Sequence, residues 1–194
     1  MLWVRMSVSM MKARSWISRL DRRAAELLAT ARHRHKVWNT VFRLLARFGP
    51  LLFFTEMAGL LAWTLVSVQG AFGAACFAVS TAVASALCTK IIVDLLADHL
   101  KRTRPFVSLG YEPLIDKNPQ DPSFPSNHAG GAFALGTSLA LSFPHSAPLT
   151  LTLALLIAFA RLYAGLHYLT DVAVGAAMGS LVAAFLWLLL NRVV

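Results

Sequence analysis

Acid is scarce in this chain. Of 194 residues, nine are Asp or Glu against 18 Lys or Arg. No carboxylate cluster of the kind that holds magnesium through oxygen ligands is visible. There are two cysteines, Cys76 and Cys88, in one apolar segment. On a single helix they stand about 18 Å apart, too far for a disulfide, which needs Cα atoms within about 7 Å. They read as packing residues and say nothing about redox compartment. There is no internal repeat and no low-complexity tract. No long apolar run follows the first positive charge in the opening residues, so no cleavable signal peptide is expected. No nucleic-acid motif accompanies the net charge of +9, which leaves membrane lipid as the expected partner and argues against nucleic acid.

What the chain has is apolar sequence in blocks. Hydrophobic residues make up 57% of it, and blocks of about 20 apolar residues span a bilayer. The pattern predicts an all-α, polytopic membrane helix bundle of about five spans, preceded by amphipathic N-terminal helices. Two regions are expected: a basic interfacial region over 1–48 and a transmembrane domain over 49–194. Residues 1–48 carry eleven Lys or Arg, opposed by Asp21 and Glu26 alone. Basic stretches beside a membrane anchor attract anionic headgroups. Trp16, Leu20 and Leu27 stripe one predicted helix, and Val37, Val41, Leu44, Leu45 and Phe48 stripe another. Such helices rest in the membrane interface or pack on their own domain.

Gly49-Pro50 reads as punctuation before a first span over 50–69 that contains Glu56. Gln69-Gly70 turns the chain into a long second helix over 71–98. There Lys90 and Asp94 lie one turn apart and can neutralise each other; Lys90 is also the candidate partner of Glu56. Residues 99–125 form a proline-rich polar loop in which regular helix is not expected. Further spans are predicted over 126–142, 147–164 and 171–190, with a break at Phe143-Pro144-His145 and Arg192 as an anchor beyond the last.

Three polar islands sit at the junctions of spans and loops. In the last, His167 and Asp171 are four residues apart and share a helix face. A carboxylate there can accept the Nδ1 proton and leave Nε2 free as a nucleophile or base. Arg161 lies six residues earlier, and its planar fork suits phosphate oxygens. In the second island, Pro125-Ser126-Asn127-His128, Ser126 can cap a helix whose first amides would bind an anion. His128 can donate a proton to a leaving oxygen. Arg104-Pro105 follows Lys101 and Arg102 at the start of the loop. Each island alone is compatible with a helix cap or an interfacial anchor; together they describe a phosphate pocket with a nucleophile and an acid.

These residues resemble the type 2 phosphatidic acid phosphatase superfamily, marked by Lys-x6-Arg-Pro, Pro-Ser-Gly-His and Ser-Arg-x5-His-x3-Asp. The likeness covers roughly residues 48–190. It implies an integral membrane phosphatase that needs no metal and no cofactor. It further implies that His167 attacks phosphorus to form a phosphohistidine, that Asp171 orients it, and that His128 protonates the leaving group. Arg104, Ser126, Asn127 and Arg161 would hold the nonbridging oxygens. Ala97 occupies the place of the motif lysine; Lys101, one turn later, is the expected substitute. Asn127 replaces the glycine and Ala160 the serine.

The resemblance points most closely to bacterial undecaprenyl pyrophosphate phosphatases. Phosphatidylglycerophosphate, phosphatidic acid and lipid A phosphate stand as alternative substrates. A non-catalytic lipid-binding protein and a vanadate-dependent haloperoxidase are the rival classes. The expected location is the bacterial cytoplasmic membrane. The resemblance implies a site outside the cell, whereas the basic N-terminal segment, by the positive-inside rule, implies the cytoplasm.

Overall fold

The structure is a computed structural model describing the backbone of residues 2–67 and 70–190, with side chains from residue 16 onward. Gln69, Arg192 and the side chains of Arg5, Lys12 and Arg14 lie outside the described residues. The helices are α1 (Leu2–Arg34), α2 (Lys36–Ser67), α3 (Phe72–Leu100), α4 (Pro105–Leu109), α5 (Asn127–Ser142), α6 (Ala147–Tyr163) and α7 (Leu169–Leu190). A 3-10 turn, Pro144–Ser146, precedes α6, and no strand occurs among the described residues.

Four described segments are long and apolar enough to cross a membrane: Lys36–Ser67, Phe72–Leu109, Pro144–Tyr163 and Leu169–Leu190. Set against the five expected spans, α5 differs in kind. Its 16 residues extend about 24 Å, less than the roughly 30 Å of a hydrocarbon core. It is the hub of the bundle, packed on α3, α6 and α7. Small residues allow this. A Cβ on Gly175 would lie 2.5 Å from the Ser126 carbonyl oxygen, and one on Gly179 would overlap the Gly130 carbonyl. The backbones of α5 and α7 are therefore in direct contact, as small residues permit in membrane helix pairs. On the other side of α5, Phe53 and Met57 of α2 pack with Ala132, Leu139, Leu153 and Ile157.

Two boundaries differ from expectation. Gly49-Pro50 does not end a helix, because α2 runs through it with Pro50 inside. Gly49 serves packing instead: a Cβ there would sit 2.8 Å from Ile157 Cγ1. The polar loop also holds one short helix, α4, opened by Pro105 at its first position, where a missing N–H costs nothing. Before it, α3 stops at Lys101, whose φ of 46° is left-handed and whose N–H bonds the Ala97 carbonyl.

α1 packs on the domain, but not through its apolar stripe. Asp21, Ala25 and Arg32 are buried, whereas Trp16, Leu20 and Leu27 are exposed. Arg32 donates to the Tyr163 carbonyl at 2.7 Å and lies over the Tyr111 ring. The stripe on the first half of α2 is likewise exposed at Val37, Val41, Leu44 and Phe48. Within α3 the Lys90–Asp94 pair forms at 2.5 Å. Among the described residues Glu56 has no hydrogen-bond partner, and it is not paired with Lys90. The C-termini of α3 and α6 and the N-termini of α5 and α7 meet at one end of the bundle, and α1 lies on that same end.

Direct backbone contact between α5 and α7 predicts that Gly179→Ala will lower the thermal unfolding midpoint of the detergent-solubilised protein. The cost of overpacking is about 1–3 kcal/mol. Gly59→Ala, with nothing within 4 Å of the new methyl, should leave the midpoint unchanged. Equal midpoints for the two variants would refute the close approach.

Candidate active site

The site is assembled from four chain segments at the α5–α7 end. Ser126 caps α5, its hydroxyl accepting from the Ala129 N–H at 3.5 Å. The Ser126 N–H donates to the Asp171 carbonyl at 3.0 Å, which ties the start of α5 to the start of α7. Between α6 and α7 the chain turns through Gly165, whose φ of 78° is left-handed. A side chain there would also strike the Tyr111 ring at 2.7 Å. That turn delivers His167 to the centre, where it is buried.

The Nδ1 atom of His167 lies 2.7 Å from the carbonyl oxygen of Ser123. A carbonyl can only accept, so Nδ1 carries the proton and Nε2 keeps its lone pair. The partner is not Asp171, as the helical spacing suggested. The closest Asp171 oxygen is 3.9 Å from Nδ1, beyond hydrogen-bond reach, because His167 stands in the turn before α7 and not on its face. The Asp171 carboxylate is occupied otherwise: it accepts the Tyr168 N–H at 2.8 Å and Arg102 Nη1 at 2.5 Å. Burial pushes the His167 imidazole well below its ordinary value, and the Arg161 and Arg104 cations push it further. The ring is therefore neutral at physiological pH.

Arg104 is buried and pinned by three carbonyls: Leu166 and Pro122 at 2.9 Å, and Asp121 at 3.1 Å. Its Nη1 stands 3.4 Å from His167 Nε2. Arg161 is also buried. One of its amino groups donates to the Ala46 carbonyl at 2.8 Å, and its Nε has no partner among the described residues. The charges of Arg104 and Arg161 both act on His128 and on His167, and that of His128 acts on His167. His128 is accessible and lines a cavity of about 380 Å³ whose wall includes Pro50, Phe53, Leu87 and Leu135.

Two sequence-predicted phosphate ligands are placed elsewhere. Lys101 is exposed at the α3 cap, and its side chain makes no hydrogen bond or ion pair among the described residues. Lys117 is the lysine whose charge reaches His128; it is held by Asp121 at 2.5 Å. The Asn127 side-chain amide donates to Asp94 on α3.

Sequence reasoning missed Ser123, Lys117, Arg102 and Asp21. Two residues apart, Arg102 reaches Asp171 and Arg104 lies beside His167. Asp21 carried a signal: it is an acid in a basic helix. Among the described residues no group of three or more His, Cys, Asp or Glu could hold a metal ion.

The sequence profile of the PAP2 superfamily matches residues 73–194. The bacitracin transport permease protein BcrC of Bacillus licheniformis is 32% identical over 111 residues, covering 57% of this chain and 53% of that protein. The match thus spans about half the length of this curated relative. LpxE of Aquifex aeolicus shares the fold with a TM-score of 0.64 at 23% identity, over 84% of this chain and 91% of that one. A bacterial vanadium-dependent iodoperoxidase shares it with a TM-score of 0.67 at 18% identity, over 84% and 48%.

The neutral state of His167 can be read directly. In an NMR titration of histidine-labelled protein, the resonance lost in His167→Ala should not move between about pH 8 and about pH 6, where an ordinary histidine titrates. A midpoint near 6.5 would contradict the burial and the flanking cations.

Proposed function

Since the chain belongs to the PAP2 superfamily, we propose that it is a membrane lipid phosphatase acting by metal-independent hydrolysis through His167. The observation that carries this reading is the fixed tautomer of His167. Ser123 holds the Nδ1 proton, and the Nε2 lone pair lies beside Arg104. In the first step Nε2 attacks phosphorus while the bond to the leaving oxygen breaks and His128 protonates that oxygen, with a proton taken up together with the anionic substrate, because burial and the Arg161 and Arg104 cations disfavour it in the free site. In the second, water activated by the now neutral His128 attacks phosphorus, the P–N bond breaks, and phosphate leaves. Arg104, Arg161, Ser126 and the first backbone amides of α5 hold the nonbridging oxygens. Phosphoryl transfer depends mainly on such positioning and charge stabilisation. The unpartnered Nε of Arg161 is a buried donor that an anion would satisfy.

The substrate proposed is a polyprenyl pyrophosphate such as undecaprenyl pyrophosphate, as the resemblance of the three motifs suggests. The apolar cavity reaching His128 suits a lipid chain attached to the leaving group. Phosphatidylglycerophosphate, phosphatidic acid and lipid A phosphate are the competing substrates, and a panel of them is the test of headgroup. The protein in detergent should release phosphate from farnesyl pyrophosphate in the presence of EDTA. His167→Ala, folded to the same midpoint, should release none, and an acid-labile phosphoryl label should appear on wild type alone. Wild-type turnover by His167→Ala would reject the nucleophile. Binding without turnover by wild type would favour the lipid-binding alternative.

The membrane proposed is the bacterial cytoplasmic membrane. The resemblance implies a site outside the cell, but one observation supports the cytoplasmic side. The site and the basic α1 occupy the same end of the bundle, and the two connections at the other end, 68–71 and 143–146, contain no Lys or Arg. The positive-inside rule then puts the site end in the cytoplasm. A cysteine introduced at Asn118, which is exposed, should react with an impermeant reagent only after the membrane is opened. Labelling of intact cells would place the site outside.

A further inference from the structure

We propose that Asp21, on the N-terminal helix, is a positioning residue for the reaction: by sharing Arg102 with Asp171 and capping α7 from outside, it fixes the turn that presents His167. The proposal rests on the hydrolytic reading above and adds a part that lies outside the matched residues 73–194.

Asp21 is 2% exposed. A carboxylate is buried at that depth only when paired, and its partners all belong to the site. One oxygen accepts the Thr170 N–H at 3.0 Å. The other accepts the Thr170 hydroxyl at 2.5 Å and Arg102 Nη2 at 2.7 Å. Arg102 extends its other amino group to Asp171 at 2.5 Å and to Thr170 Oγ1 at 2.7 Å, and its guanidinium lies 4.2 Å from the Tyr168 ring centre.

The geometry is that of a helix cap divided between two helices. α7 begins at Leu169, so Tyr168 occupies the cap position and Asp171 the third helical position. Asp171 reaches back to the Tyr168 N–H, which is one half of a capping box. The other half needs an oxygen on the cap residue to accept the N–H of the second or third position. Tyr168 has no oxygen that can reach back in this way. Asp21 supplies one from a residue 149 positions away in sequence. Asp21 also holds one amino group of Arg102, so Asp171 receives only the other and keeps its second oxygen on Tyr168, the residue after His167. Without Asp21, the fork of Arg102 is free to close on Asp171 with both amino groups and draw it off the Tyr168 amide.

The test uses the full chain in detergent with farnesyl pyrophosphate. Asp21→Asn keeps an oxygen for the Thr170 N–H and loses the ion pair with Arg102. We expect kcat to fall about 10- to 100-fold with KM within about two-fold, at an unchanged unfolding midpoint and with recovery in Asp21→Glu. In an Arg102→Gln background, Asp21→Asn should cause no further loss, because the effect passes through Arg102. An unchanged kcat, a loss that follows only the folded fraction, or the same fold-loss in both backgrounds would overturn the proposal. Should Asp21→Asn not fold, Arg102→Lys carries the same test, since an ammonium lacks the fork that spans both carboxylates; full kcat there would equally overturn it. No release by wild type would instead reject the hydrolytic reading.

Discussion

The site depends on how closely α5 approaches α7. Helices that carry ordinary side chains at their contact stand 8–10 Å apart, too far for one backbone to bond another. Gly130, Gly175 and Gly179 remove that spacing. The Ser126 amide then reaches the Asp171 carbonyl, so the first turns of the two helices become one rigid unit. Ser123, three residues before Ser126, is thereby brought within 2.7 Å of His167, four residues before Asp171. The geometry at His167 follows from glycines well inside the bundle.

Charge balance is the second constraint. Arg104 and Arg161 are buried beside a neutral imidazole, and among the described residues neither forms an ion pair with a carboxylate. Backbone carbonyls hold them instead: three for Arg104 and one for Arg161. Carbonyl dipoles orient a guanidinium without cancelling its charge, so the positive potential at Nε2 survives for an anion. The arrangement also keeps the imidazole unprotonated, since an added proton would meet two fixed cations. Arg102, two residues from Arg104, is treated in the opposite way. It lies between Asp21 and Asp171 and is electrostatically spent on structure.

Much of this was legible in the sequence. Apolar blocks gave membrane helices, and Ser126 gave the α5 cap, because both signals are local. The convergence of Arg104, His128, Arg161 and His167 was legible through the order and spacing of three motifs. The partners of those residues were not. Helical spacing assigned the Nδ1 proton to Asp171, but the turn at Gly165 takes His167 off the α7 face and gives that proton to a main-chain carbonyl, which every residue type possesses. Lys101 looked like a phosphate ligand by count along α3, yet the helix ends there in a left-handed residue and the side chain points to solvent. The apolar stripe on α1 marked an amphipathic helix but not its docking face, which is set by two buried ionic side chains, Asp21 and Arg32.

Fold alone does not separate the rival functions, since the same architecture is shared with LpxE and with an iodoperoxidase. The distinction has to come from the site and its surroundings. A site that only bound an anion would need the guanidinium groups and the α5 amides. It would gain nothing from an imidazole locked in one tautomer with its lone pair turned toward the cations, because that lone pair repels a phosphate oxygen. The orientation is useful when the atom that arrives is phosphorus, which is electrophilic and is made more so by cations on its oxygens. The surroundings add the second distinction. The cavity that His128 lines is walled by Pro50, Phe53, Leu87 and Leu135, on helices long enough to lie in a bilayer. Under the proposed reaction, a leaving group that departs on that side departs into lipid.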